Sequence, residues 1–315
     1  MADNSVAPIV AADAAGIAAA AEVLRGGGLV AVPTETVYGL AARADSAEAV
    51  ATIYRAKGRP DFNPLIVHVP GVAEAETVAL VGERARRLAA AFWPGPLTLV
   101  LPRREDARLA AAVTAGLATV ALRCPAHPAM RALLAATALP LAAPSANRSG
   151  RVSPTSAAHV AASLGTAVDL ILDGGPCSAG IESTIVALRE GGGWQVLRPG
   201  PIGEAELKEI LGSEPAAAAS TGIEAPGQLA RHYAPGKPLR LGADEAEPDE
   251  FLIGFGPVAG EANLSPAGDL AEAAAQLYAC LHAAAQAQQP RIAVAPIPDF
   301  GMGVAINDRL RRAAA

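Results

Sequence analysis

The chain has 315 residues, 51% of them hydrophobic, which is long enough for one large domain plus a smaller one. Its net charge of −6 lacks the basic excess of a protein that grips nucleic acid by the backbone, and residues 239–315 hold much of the acid, 10 acidic against 5 basic side chains. Three cysteines without CxxC spacing exclude a disulfide framework and a zinc site, while "MADNSVAPIV" shows no signal-peptide pattern and no apolar run of about 20 residues is free of breaks, so the expectation is a reduced, cytoplasmic protein without a membrane span.

Taken in chain order, "AADAAGIAAAAEVLRGGG" reads as a helix stopped by glycines, and "LVAVP" as a short strand ended by proline. "DSAEAVATIYRAKG" predicts a helix with Asp45 or Ser46 as N-cap, Val50, Ile53 and Tyr54 at helical spacing, and Gly58 as its end. Arg55 and Lys57 then fall in the last turn, where positive charge suits the helix dipole. "PLIVHV", "PLTLVLP", "ATVALRCP", "LPLAAPS", "VDLILDGG", "STIVAL" and "WQVLRPG" follow as strand candidates with helical stretches between several of them. Residues 1–209 therefore read as an α/β domain around one extended sheet, whose strand order and direction stay open.

Residues 210–238 are rich in Gly, Pro, Ala and Ser and read as a linker, although Arg231, His232 and Tyr233 in "RHYAP" are too chemical for a plain spacer. Residues 239–315 offer the strand "EFLIGFG", a long Ala-rich helix, the strand "RIAVAPIP" and a terminal helix "AINDRLRRAAA", a small second α/β unit.

The common nucleotide motifs are absent: no GxxxxGK[ST], no GxGxxG after a strand, no HExxH and no GxSxG. What stands out instead is a set of polar loops at strand ends, "PTETVYG", "KGRPDFNP", "PSANRSGRVSPTS", "GIESTIV" and "LRPG", where open α/β sheets usually place their ligands. Each has a plain reading beside the functional one. Lys57 and Arg59 could solvate a helix end, but Pro60 and Asn63-Pro64 stiffen their loop and favour an anion site. Ser153 could simply cap a helix that has Pro154 at its first position, and a capped N-terminus also binds phosphate. His68 in a strand could be a satisfied core histidine, Tyr233 a packing anchor, and Cys124 and Cys177 small buried residues. Arg123 in "TVALRCP" is harder to dismiss, because a buried strand arginine needs a carboxylate or a ligand as partner.

"PTETVYGL", "KGRP…NPLIVHV", "PSANRSG…SPT", "STIV" and "RPG" resemble the YrdC family, with the motif set of its threonylcarbamoyl-AMP synthases, and "APGQLARHYAP" with "GMGVAINDRLRRAA" resembles the family's long form. The resemblance spans essentially the whole chain, with small departures in the linker at Ala225 and Leu229. It implies a YrdC-like twisted mixed sheet with flanking helices, joined by an ordered linker to a small C-terminal α/β domain. It also implies the reaction of L-threonine, bicarbonate and ATP to threonylcarbamoyl-AMP and pyrophosphate, with Mg²⁺ accompanying the nucleotide and no protein metal ligands identified. The product would pass to a separate transferase complex that modifies the adenosine beside the tRNA anticodon, with tRNA contact weak or indirect. Carried over by position, Thr36, His68, Arg123 and Ser183 would contact threonine. Lys57, Arg59, Asn63, Thr119, Ser145, Asn147, Ser153, Arg198 and Tyr233 would contact ATP, with Lys57 and Arg59 stabilising charge in the transition state. The linker would fold over the site with Tyr233 near the nucleotide. The alternative is an RNA-binding module of the same fold, with Arg55, Lys57, Arg59, Arg123, Arg148, Arg151 and Arg198 along one concave surface. Carbamoyltransferases that share a YrdC-like domain carry zinc fingers, which three scattered cysteines cannot supply.

Overall fold

The structure is a computed structural model, and residues 7–216, 222–228 and 232–315 are described. The first six residues of the leader reading, the middle of the linker, and Leu229 and Arg231 lie outside the described residues.

The larger unit contains β1 (Ile9–Ala11), α1 (Ala14–Arg25), β2 (Val30–Val32), β3 (Gly39–Arg43), α2 (Ala47–Lys57), β4 (Ile66–His68), α3 (Val72–Ala75), α4 (Glu83–Phe92) and β5 (Leu97–Pro102). It continues through α5 (Ala111–Thr114), β6 (Thr119–Arg123), α6 (Pro128–Thr137), β7 (Leu141–Ala142), α7 (Ala157–Leu164), β8 (Leu170–Asp173), β9 (Thr184–Leu188), β10 (Trp194–Arg198) and α8 (Glu204–Leu211). Ten strands form one mixed sheet in the order β1-β8-β2-β3-β7-β4-β6-β5-β9-β10. Every strand expected in this unit forms. Strands β1 and β3 were not legible: β3 is Gly-Leu-Ala-Ala-Arg, with no β-branched residue, and it extends because β2 and β7 pair with it on either side.

Local chemistry explains the element ends. In α2 the Ser46 hydroxyl accepts from the Ala49 amide, Asp45 instead pairs with Arg43, and Gly58 closes the helix at φ +58°. The expected cap at Ser153 does not form. Helix α7 begins at Ala157 with Ser156 as its N-cap, its hydroxyl accepting from the His159 amide, while the Ser153 hydroxyl donates to the buried Glu182 carboxylate at 2.6 Å.

The smaller unit contains β11 (Leu239–Leu241), β12 (Glu250–Gly254), β13 (Ala262–Asn263), α9 (Leu270–Gln286), β14 (Arg291–Val294) and α10 (Met302–Ala314). Its four strands are all parallel, in the order β11-β14-β12-β13. The two units share packing: the core of the smaller one takes in Val37, Val152 and Ile181 of the larger one, together with Tyr233. At Gly180, φ +69°, a Cβ would lie 2.4 Å from the Ala275 Cα, so only glycine lets α9 approach this closely.

Candidate active site

Strands β4 and β6 run side by side with His68 opposite Arg123. The two therefore emerge together at the carboxyl ends of parallel strands. The loop between β2 and β3 closes over them. Its Thr34 hydroxyl donates to the Val37 carbonyl at 2.6 Å, and it lies 2.8 Å from the Thr36 hydroxyl, which fixes Thr36 as an acceptor for Arg123 Nη1 at 2.8 Å. Arg123 Nη2 donates to Glu35 at 2.7 Å and Nε to the Gly95 carbonyl at 3.3 Å. A guanidinium has five N–H groups, so two remain for a ligand. Burial pushes the Glu35 carboxyl up, but Arg123 beside it outweighs this and the net shift is downward.

Three further cations stand at this cavity: Arg59 and Arg198 in its lining and Lys57 one layer behind. Lys57 Nζ donates to the carbonyls of Ser145 and Asn147. Arg59 donates to the carbonyls of Asn63 and Pro64 at 3.2 and 2.8 Å. Arg198 donates to the carbonyl and hydroxyl of Ser183, both at 3.1 Å, and to the Pro226 carbonyl. Among the described residues none of the three is hydrogen-bonded to a carboxylate. Burial drives Lys57 well below the usual lysine range, with Arg59 adding to it, and pulls Arg59 down to about 10. Several polar atoms near this cavity are buried without a partner: Oδ1 of Asn63 and of Asn147, Nδ1 of His68 and of His232, and the Tyr233 hydroxyl. Buried polar groups are nearly always satisfied, so this concentration marks a place built for a polar ligand.

The roof is the strap on either side of residues 229–231. Pro226, Gly227, His232 and Tyr233 line the cavity. Tyr233 sits at φ +63°, a left-handed conformation that costs a tyrosine of order 1 kcal/mol or more. It is pinned from both sides, by the His232 amide donating to the Arg312 carbonyl and the Ala234 amide donating to the Gly150 carbonyl. Gly227, φ +87°, has no room for a Cβ, which would meet the Arg198 side chain at 2.8 Å.

Of the residues singled out from sequence, Thr36, Arg59, His68, Arg123, Ser145, Arg198 and Tyr233 line this single cavity. Lys57, Asn63, Asn147, Ser153 and Ser183 stand one layer behind, and all five are buried. Lys57 holds the Ser145–Asn147 loop, and Ser183 braces Arg198 while its hydroxyl lies 2.7 Å from that of Thr98. Thr119 is not brought in: it opens β6 opposite Pro102, at the far end of the strand from Arg123. Sequence reasoning missed Glu35 and Glu182, although both lie inside quoted motifs and Arg123 demanded a carboxylate. It also missed Arg309 and Tyr278, which reach the back of the site from the smaller unit.

The residue set fits no protein-held divalent cation. Among the described residues no group of three or more His, Cys, Asp or Glu could hold a metal ion. Glu182, the carboxylate in the wall, already accepts from Ser153, Tyr278 and Arg309.

A family model for Sua5, YciO and YrdC, described as "Telomere recombination", matches residues 22–200. The chain belongs to this family. A second model, "Threonylcarbamoyl-AMP synthase, C-terminal domain", matches residues 202–315. The threonylcarbamoyl-AMP synthase of Bacillus subtilis is 39% identical over 325 residues, covering 95% of this chain and 92% of the relative. That of Pyrococcus abyssi is 46% identical over 224 residues, 69% of this chain and 64% of the relative. A crystal structure of P. abyssi Sua5 complexed with L-threonine superposes with a TM-score of 0.88 at 35% identity, covering 98% of this chain and 97% of that one.

The histidines of the site carry a test of their own. Burial holds His68 and His232 neutral, each down at about 3, against an ordinary value near 6.5. The unfolded chain therefore binds more protons than the folded one below about pH 6.5. Their contribution to stability is complete above that pH and drains as pH falls toward 3, by about 1.4 kcal/mol per histidine per pH unit. Urea melts at pH 7.5 and 5.5 are expected to differ by about 3 kcal/mol from these two residues, and the double variant His68→Gln/His232→Gln to lose most of that difference. Identical pH dependence in the variant would refute the assignment.

Proposed function

We propose that this chain condenses L-threonine, bicarbonate and ATP into threonylcarbamoyl-AMP and pyrophosphate. The observation that carries the reading is the cluster of Lys57, Arg59 and Arg198: Arg198 is buried and Arg59 half-buried in the cavity wall, Lys57 is buried behind it, and among the described residues none of the three is hydrogen-bonded to a carboxylate. Among the described residues of the wall, Glu182 is the one carboxylate acting on this positive charge; under-compensated buried charge is costly, and a polyphosphate supplies what is missing.

The threonine carboxylate takes the two free N–H groups of Arg123. His68, held neutral, offers a hydrogen-bonding nitrogen to the amino acid rather than a charge that would compete for its carboxylate. The amine condenses with bicarbonate to a carbamate, releasing water. A carbamate oxygen then bonds to the α-phosphorus as the bond to pyrophosphate breaks. Negative charge shifts onto the leaving phosphates, where Arg59 and Arg198 meet it and Lys57 fixes the loop beneath. No covalent nucleophile is needed. Mg²⁺ bound with the nucleotide would add charge neutralisation on the phosphates beside Arg59 and Arg198, without protein carboxylate ligands among the described residues. The product is a mixed anhydride that water destroys, so the roof of Pro226, Gly227, His232 and Tyr233 serves to exclude water.

In this reading the product feeds a transferase complex acting on tRNA, in the cytoplasm, with tRNA contact to this chain weak or indirect. No helix of the described residues is long and apolar enough to cross a membrane. The RNA-binding alternative lacks its surface: Arg55, Arg148 and Arg151 are exposed while Lys57, Arg123 and Arg198 are buried, so they form no continuous basic face.

The test is pyrophosphate release from ATP and Mg²⁺, with and without L-threonine and bicarbonate. Release that requires both is the expected result. Release independent of threonine points to another carbamoyl acceptor, and no release from folded protein overturns the reading. Tyr233→Ala is expected to raise the ATP KM or to leak hydrolysed product, and unchanged kinetics would remove the roof from the mechanism.

A further inference from the structure

The smaller unit contributes to the cavity wall through one charge. Glu182 lines the cavity beside Arg59, Arg198 and Tyr233 and is buried. A bare carboxylate at that place would repel a polyphosphate and draw in the nearest cation. Of the cations in the cavity lining, the one whose charge acts on Glu182 is Arg198. Yet Arg198 spends its hydrogen bonds on Ser183 and Pro226, because Glu182 is held from behind. Arg309 of α10, fully buried, donates Nε to Glu182 at 3.0 Å and Nη2 to the Glu182 carbonyl at 3.4 Å. Tyr278 of α9 donates to the same carboxylate at 2.8 Å. Arg309 is fixed in turn by Asp308 and by the Pro199 carbonyl, and its guanidinium stands 5.5 Å from the centre of the Tyr233 ring.

We propose that Arg309 is a positioning residue for the nucleotide site: by neutralising Glu182 from the smaller unit, it leaves Arg198 free for the ligand phosphates and backs the Tyr233 roof. The smaller unit is then a part of the ligand site instead of an appendage. Burial alone would raise the Glu182 carboxyl, but Arg309 and then Arg198 hold it down at about 2, so it stays ionised and its counter-charge matters at every working pH. This inference rests on the reading of the cavity as an ATP site.

The experiment is a charge-cancelling double substitution in the full chain, read by calorimetric titration with ATP and, separately, with L-threonine. Arg309→Met is expected to weaken ATP by about 30-fold or more, as a wall carboxylate loses its partner and recruits Arg198. Glu182→Gln alone is expected to weaken ATP far less than Arg309→Met does, because no ionised carboxylate is left to draw Arg198 away from the ligand. The double variant Glu182→Gln/Arg309→Met is expected to return to within about threefold of the wild type. L-threonine affinity, governed by Arg123, stays constant throughout, which a general loosening of the fold would not allow. Should Arg309→Met fail to fold, the double variant against the wild type decides alone. A double variant that does not fold, or that folds and binds ATP as weakly as the single one, overturns the inference while leaving the synthase reading intact. Wild-type protein that binds no ATP removes both.

Discussion

Arg123→Ala is expected to lower kcat/KM for L-threonine by about 2–4 kcal/mol, roughly 30- to 1000-fold, with a much smaller effect on ATP binding. Two losses combine. The substrate carboxylate loses its guanidinium, and Glu35, half-buried and bonded to Arg123 and the Ala126 amide, loses its counter-charge. The second loss is a stability effect, so the variant is also expected to melt earlier. Glu35→Gln separates the two: it keeps an acceptor for Arg123 while removing the charge, and is expected to preserve most of the threonine affinity. A change under tenfold in kcat/KM for Arg123→Ala would refute its role as carboxylate clamp.

The case of Arg123 shows what the sequence could and could not reveal. A strand arginine announces that it needs a partner, and the loop "PTETVYG" contains one, but nothing in a linear sequence places Glu35 beside residue 123. That juxtaposition comes from the sheet order β2-β3-β7-β4-β6 and from the loop after β2, which reaches across to the end of β6. Strands such as β5 and β9 were legible because their apolar runs are buried on both faces. β3 was not, because its alanines carry little strand preference and pairing decides its conformation. The cap reading of Ser153 does not hold because Ser156 caps the helix instead, and the Glu182 carboxylate to which Ser153 donates lies 29 residues away in the chain. Arg309 was invisible for a related reason: it is one of three arginines in "NDRLRR", and only the face that α10 presents to the larger unit selects it over Arg311 and Arg312. The polar loops that carry the chemistry were legible as a group, and the structure adds how charge is shared among them.

Lys57→Met is expected to dissociate activity from stability. Removing the ammonium takes one of three cations from the nucleotide site and releases the Ser145–Asn147 loop, so kcat/KM for ATP is expected to fall by about 10³-fold. The ligand-free fold is expected to lose little, within about 2 kcal/mol, because two opposing terms act. Two carbonyls lose a donor, which destabilises, while a buried ammonium that touches no carboxylate disappears, which stabilises. The pH dependence distinguishes this balance from coincidence. Burial, with Arg59 adding to it, holds Lys57 well below its ordinary value of 10.5, so the unfolded chain binds the extra proton and wild-type stability rises with pH until the unfolded lysine titrates. Urea melts in the alkaline range leading up to pH 10 are therefore expected to show a rise in the wild type that Lys57→Met lacks. ATP is expected to stabilise the wild type strongly, by filling the cavity behind whose wall Lys57 holds the Ser145–Asn147 loop, and to stabilise the variant much less. Parallel pH curves for the two proteins would mean that Lys57 is compensated by a group other than the ligand, and the argument from uncompensated buried cations would fail at its central residue.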